Sequence, residues 1–176
     1  MSVDECRKAL GEAVTRLQPV LQPLGFNFDG SESGQAHMPF AAGFFIGDAM
    51  KIGLIFRQRG TLGSVNYENE VSNMSHDDLL RSLGAQDRQR LIYDDAAMAS
   101  RAKDGGDPLD ALVYDWRELV GERLTDRELM SESIAASLRK RLEEWMPSTT
   151  SGATPSQETT VPQWWIRLLD RLRWRK

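Results

Sequence analysis

The chain has 176 residues, 40% of them hydrophobic and 27% charged, with one cysteine, two histidines and a formal net charge of −4. A domain of roughly 150 residues buries about 68–70% of its unfolded surface, enough for a core without disulfides or a structural metal. The lone Cys6 excludes an intramolecular bridge, and too few Cys and His ligands remain for a zinc site, so no metal or cofactor is expected.

The opening MSVDECRKAL has no apolar stretch of the secretory kind, and no segment reaches the ~18–20 uncharged apolar residues of a membrane-spanning helix. The expected compartment is therefore a reducing cytoplasm. Ser2-Val3-Asp4-Glu5 fits a capping box, in which serine and glutamate side chains satisfy each other's backbone donors. Apolar residues then recur at Val3, Cys6, Leu10, Val14, Leu17 and Leu21, which predicts an amphipathic first helix with Cys6 as a buried thiol. Pro19 and Pro23 should end or kink it, and Gly25 closes the segment.

The middle of the chain changes to period two. Phe40, Ala42, Phe44 and Ile46 alternate, and after Gly47-Asp48-Ala49 so do Met50, Ile52, Leu54 and Phe56, the pattern of an antiparallel hairpin. With Ile46 and Met50 flanking the turn, all eight side chains share one face, expected to be core under the first helix. The same register puts Gly43 across from Gly53 on the other face, beside Ala41, Phe45, Lys51, Ile55 and Arg57. Paired glycines in strands mark a close approach. Gly43, Gly53, Phe45, Lys51 and Arg57 are thus a candidate ligand face, with Trp116 or Trp145 of a later helix as the competing occupant. A turn over residues 58–63 leads to a third strand, Ser64 to Glu68.

The remainder reads as helical. Ser75-His76-Asp77-Asp78 starts a short helix that ends before Gly84, and an irregular stretch through Leu91, Ile92 and Tyr93 follows. Asp107-Pro108, a capping carboxylate followed by proline, opens a helix carrying Leu109, Leu112, Val113, Trp116, Leu119 and Val120 up to Gly121. Thr125-Asp126-Arg127-Glu128 is a second capping box, for a helix with Ile134, Leu138, Leu142 and Trp145 on one side. The expected fold is α+β: an N-terminal helix, a three-stranded antiparallel meander and a helical C-terminal half.

Residues 147–162, PSTTSGATPSQETTVP, have the composition of a flexible linker between an acidic body, 1–146, and a tail, 163–176. The tail carries five basic residues against Asp170, a net of +4. With Glu158 in the linker, the body is left at −7. At about 100 degrees per residue, Trp164, Trp165, Leu168, Leu169 and Leu172 share one arc while Arg167, Arg171 and Arg173 fall outside it, as in a short amphipathic helix. Fixing some 14 residues costs roughly 1–2 kcal/mol apiece, against about 1.5–3 kcal/mol returned by each of five large side chains. The tail therefore needs a surface to dock on: its own body, a groove on a partner protein, or an anionic membrane.

Catalytic motifs are weak. Glu68, Glu70, His76, Asp77 and Asp78 supply groups of the kind that bind a divalent cation or move protons, but Asp77 and Asp78 point about 100 degrees apart on a helix, and acids belong in a first helical turn anyway. Asp104 and Asp107 would repel a phosphate at Gly105-Gly106, and no nucleophile elbow accompanies His37. An acidic body also disfavours nucleic acid. The sequence thus favours a non-catalytic cytoplasmic binding or adaptor protein with a basic protein partner, peripheral to a membrane where the tail docks there. The alternative is a small metal-dependent or acid/base enzyme using the Glu68–Asp78 region.

Overall fold

In the computed structural model, which describes residues 2–35, 38–48, 50–57, 59–69, 73–126, 128–130, 132–133 and 135–136, helix α1 (Val3–Leu21) opens on a reciprocal cap. Ser2 Oγ accepts from the Glu5 amide at 3.3 Å and Glu5 Oε2 from the Ser2 amide at 3.2 Å. Cys6, Leu10, Ala13, Leu17 and Leu21 form its buried stripe, with Val14 at the margin. Pro19, expected to end or kink the helix, lies inside it. A proline this close to the end removes few helical bonds, while the fully buried Leu17 and Leu21 hold the last turn. The segment stops one 3-10 turn later at Gly25, whose φ of 82° suits glycine.

The chain is α+β, but its sheet has five antiparallel strands in chain order rather than three: β1 (Asn27–Gln35), β2 (Pro39–Ile46), β3 (Lys51–Arg57), β4 (Thr61–Glu68) and β5 (Asn73–Ser75). The sequence of β1, NFDGSESGQ, lacks alternation. It becomes a strand by pairing with β2, with Asp29 bulged out and Gly30 at φ 137°. β4 starts at Thr61, earlier than read, because Gly63 forms a bulge that keeps Leu62 opposite Phe56.

The β2–β3 register also differs from the expected one. Gly47 N–H bonds the Met50 carbonyl at 3.0 Å, so Gly47 rather than Ile46 faces Met50, and Ile46 pairs with Lys51. The cause lies outside the hairpin: a Cβ on Gly47 would come within 2.7 Å of the buried Phe26 ring. A slip of one residue moves every side chain of a strand to the other face. Ala41, Gly43 and Phe45 therefore join Ile52, Leu54 and Phe56 on the face under α1, and Phe40, Ala42, Phe44 and Ile46 lie on the opposite face with Lys51, Gly53, Ile55 and Arg57. Gly43 pairs with Leu54 and Gly53 with Phe44, so the expected glycine pair does not form.

Helix α2 (His76–Ser82) follows, capped by Ser75. The next stretch is not irregular but a second, two-stranded sheet, β6 (Leu91–Asp94) and β7 (Ala99–Ala102). Asp107 caps helix α3 (Pro108–Tyr114) by accepting from the Leu109 amide at 2.7 Å, and Arg16 of α1 reaches Asp107 at 2.8 Å. The expected single helix to Gly121 changes winding: Asp115–Val120 is π-helical. Buried pairs recur every four residues at Ala111-Leu112, Asp115-Trp116 and Leu119-Val120. On a 3.6-residue helix such a row drifts around the axis, and the looser winding takes up the drift.

The following helix is capped by Asp126 rather than Thr125: the Leu129 amide donates to Asp126 Oδ1 at 3.0 Å, while the Thr125 hydroxyl donates to the Glu122 carbonyl. Met130 and Ser133 are buried there; Ile134, Leu138, Leu142 and Trp145 lie outside the described residues. So do the linker and the tail. Among the described residues no helix is long and apolar enough to cross a membrane.

The register makes a specific demand on the two glycines. A Cβ at Gly43 would sit 2.6 Å from Leu10 Cδ1 and 3.0 Å from the Phe28 ring, whereas one at Gly53 meets only Phe44 at 3.7 Å. Urea unfolding is expected to show Gly43→Ala destabilised by about 1–3 kcal/mol and Gly53→Ala within about 0.5 kcal/mol of the parent. Equal costs at both positions would restore the face-to-face glycine register.

Candidate functional site

The polar residues that the sequence singles out around position 76 converge on a buried chain of hydrogen bonds. β5 pairs with β4 so that Met74 faces Tyr67, and the Ser75 cap then delivers His76 as the first residue of α2. His76 is 4% exposed, Tyr67 and Asp115 not at all. His76 Nδ1 lies 2.7 Å from the Tyr67 hydroxyl, which accepts from the Trp116 indole N–H at 2.7 Å. His76 Nε2 lies 3.1 Å from Asp115 Oδ2. Asp115 also accepts the Arg90 amide on Oδ1 and the Leu91 amide on Oδ2, each at 2.9 Å.

A single arrangement of protons satisfies all of these groups. Trp116 donates to Tyr67, Tyr67 donates to Nδ1, and Nε2–H donates to Asp115. Burial is the main cause that pushes the Tyr67 phenol far above its ordinary pKa; the Asp115 charge adds to it and the Trp116 hydrogen bond opposes it. Tyr67 thus stays a neutral hydroxyl. Among the described residues no buried side-chain nitrogen or oxygen lacks a partner.

A cleft of about 250 Å³ lies over this network, lined on its polar side by His76 itself with Ser64, Asn66, Ser75, Asp77, Tyr93 and Ser100. A hydrolytic or acid/base site needs a base with a nitrogen or oxygen turned toward the substrate. His76 turns both ring nitrogens inward, to Tyr67 and Asp115. The three serine hydroxyls are also engaged: Ser75 Oγ donates to Asp78 at 2.8 Å, Ser100 Oγ to the Gly63 carbonyl at 3.3 Å, and Ser64 Oγ accepts from Asn66 at 3.3 Å.

The other acids do not assemble. Asp77 accepts from the Gln89 amide, Asp78 pairs with Arg81 at 3.2 Å, and Glu68 pairs with Lys51 at 3.5 Å on the far side of the sheet from α1. Glu70 and His37 lie outside the described residues. Among the described residues no group of three or more His, Cys, Asp and Glu is arranged to hold a metal ion.

The proposed ligand face is divided by the observed register. Gly43 and Phe45 lie in the core beneath α1, where Leu10 of α1, rather than a tryptophan, fills the space over Gly43. Gly53, Lys51 and Arg57 lie on the outer face. That face is apolar along β2 and β3, through Phe40, Phe44, Ile55 and Ile46, the last 42% exposed. The Phe40 ring lies 3.0 Å from where a Cβ on Gly34 would be, and Phe44 lies beside Gly53, so both rings rest on the backbone of a neighbouring strand. Lys51 Nζ sits 4.0 Å from the Phe44 ring centroid, and Arg57 reaches the Met38 sulfur at 3.8 Å. The tail residues Trp164, Trp165, Arg167, Leu168, Leu169, Arg171, Leu172 and Arg173 lie outside the described residues.

Comparison with known proteins gives no match to any family model, nor a significant match among curated proteins or solved structures.

The buried network has measurable consequences. Asp115→Ala leaves two backbone amides and His76 without their acceptor, and denaturant unfolding is expected to show a loss of about 3–5 kcal/mol; Tyr67→Phe orphans Trp116 and His76 and is expected to cost about 1–3 kcal/mol. Because the folded state raises the Tyr67 pKa, its contribution is fully present below about pH 10 and is lost as pH rises beyond the unfolded value. Tyr67→Phe should flatten that alkaline decline; an unchanged slope would remove Tyr67 from the account.

Proposed function

We propose that this chain is a non-catalytic binding protein of the cytoplasm whose body binds another protein through the outer face of β2 and β3. The carrying observation is a sheet face that remains apolar and that, among the described residues, no helix covers. Antiparallel strands with one wetted face alternate apolar and polar residues, whereas strands covered on both sides read as continuous apolar runs. β2 reads FAAGFFI and β3 carries Ile52, Leu54, Ile55 and Phe56, while the flanking β1 and β4 present Glu32, Ser64, Asn66 and Glu68 on the outer side. An apolar centre with a polar rim is the anatomy of a protein interface.

Two sequence features extend this reading. The charge of −7 on residues 1–146 steers a basic partner toward the body's remaining surface. The amphipathic tail offers a second attachment, to a partner groove or to an anionic membrane surface. The engaged nitrogens of His76 weigh against the enzyme reading.

A photo-crosslinking residue placed at Phe44 in the living cell is expected to form protein adducts that the same residue at Lys8, on the exposed side of α1, does not. Absence of adducts at Phe44, or equal adducts at both positions, would refute the interface. Melting with Mg²⁺, Mn²⁺ or Ca²⁺ should show no shift in midpoint, and a rise would favour the metal-enzyme alternative. Alanine at Trp164 and Trp165 should abolish any contact made by the tail.

A further inference from the structure

The interface reading leaves open what covers the outer sheet face, and four of its properties bear on the occupant. The first is flatness. Phe40 and Phe44 lie down over Gly34 and Gly53, which removes the ridges that upright aromatic rings would make, and the rim on β1 and β4 alternates small residues, Gly30, Gly34 and Ser64, with Glu32, Asn66 and Glu68. A docked helix needs a groove. A flat twisted sheet is instead complementary to another sheet, about 10 Å away.

The second property is charge. The face carries Lys51 and Arg57 against Glu32 and Glu68, so it is neutral on a body of −7. It gives no electrostatic preference to a basic partner, and two such acidic bodies can approach through it without net repulsion between the two faces. Third, both signs are present on the same patch, which suits an isologous contact in which each copy supplies the cations that meet the other's carboxylates. Fourth, the apolar residues Phe40, Ala42, Phe44, Ile46 and Ile55 are contiguous across two adjacent strands, so two copies bury one continuous centre.

We propose that the outer face of β2 and β3 packs against the same face of a second copy of this chain, forming a two-layer sheet sandwich at the centre of a homodimer. The inference rests on reading this face as a protein interface. It leaves the acidic surface outside the sandwich for a basic partner.

Sedimentation equilibrium of the full chain, from low micromolar to about 100 micromolar, tests it. The parent should sediment with twice the mass of one chain. Ile55→Glu and, separately, Ile46→Glu bury an unpaired carboxylate across the two-fold axis and should raise the dimer dissociation constant by about 30-fold or more, with circular dichroism and melting temperature unchanged from a monomer reference. Lys8→Glu, on α1, should leave the dimer intact. If Ile55→Glu fails to fold, Ile46→Glu, at the more exposed position, decides alone.

A parent that is monomeric throughout, or a dimer that Ile46→Glu leaves intact, overturns the proposal. Failure of the broader reading looks different. Photo-adducts at Phe44 of a mass other than two copies refute the homodimer and retain the interface, while absence of adducts refutes both.

Discussion

A carboxylate with no exposed surface must find donors for both oxygens, and the way Asp115 does so ties this fold together. Its partners come from three separate parts of the chain: the amides at the start of β6, the imidazole at the head of α2, and through that imidazole the Tyr67 hydroxyl of β4. Trp116, the next residue along, closes the circuit by donating to the same hydroxyl. The five-stranded sheet, the β6–β7 hairpin and the α3 segment are thus joined by directional bonds as well as by apolar contact. The π-helical turn serves this arrangement, since it keeps both Asp115 and Trp116 on the inner side. Loss of one member leaves others buried and unpaired, so the network acts as a unit.

The groups with the greatest chemical potential in the body, His76, Asp115 and Tyr67, spend their hydrogen-bonding capacity on one another. In the cleft above them the three serine hydroxyls are engaged, and both nitrogens of His76, which lines it, are bonded to Tyr67 and Asp115. Among the described residues, the outer side of β2 and β3 is apolar surface that no helix covers. Interfaces of proteins draw on such surface, and the neutral charge of this patch on an acidic body sets it apart from its surroundings.

Much of the fold was legible where local chemistry decides it. The Ser2–Glu5 box, the stripe from Cys6 to Leu21, the Ser75 cap and the Asp107-Pro108 start all depend on residues within a turn or two of each other, and all form. The misreadings share a different cause. The hairpin register depends on Phe26 packing against Gly47, a contact between α1's exit and the turn that periodicity does not encode. β1 has a loop's composition and exists through its pairing with β2. Asp115 sits in an apolar run where an acid is ordinarily a solvated charge, and only donors more than twenty residues earlier make it an interior residue. His76 is conspicuous in the sequence, but its partners Tyr67, Asp115 and Trp116 lie 9 to 40 residues away, at a spacing no motif encodes.

With Asp115 and Tyr67 fully buried and His76 4% exposed, the Asp115 network is expected to stay closed as long as the domain is folded. Native-state hydrogen exchange at the Arg90 and Leu91 amides measures this directly. Arg90 is an exposed residue at the head of a short strand, yet its N–H and that of Leu91 end on the Asp115 carboxylate. Both amides are expected to exchange only when the whole domain unfolds, with protection equal to the global unfolding free energy. Exchange of either at the rate of an open loop would show that the network opens locally, and would return His76 and its neighbours to contention as working chemistry.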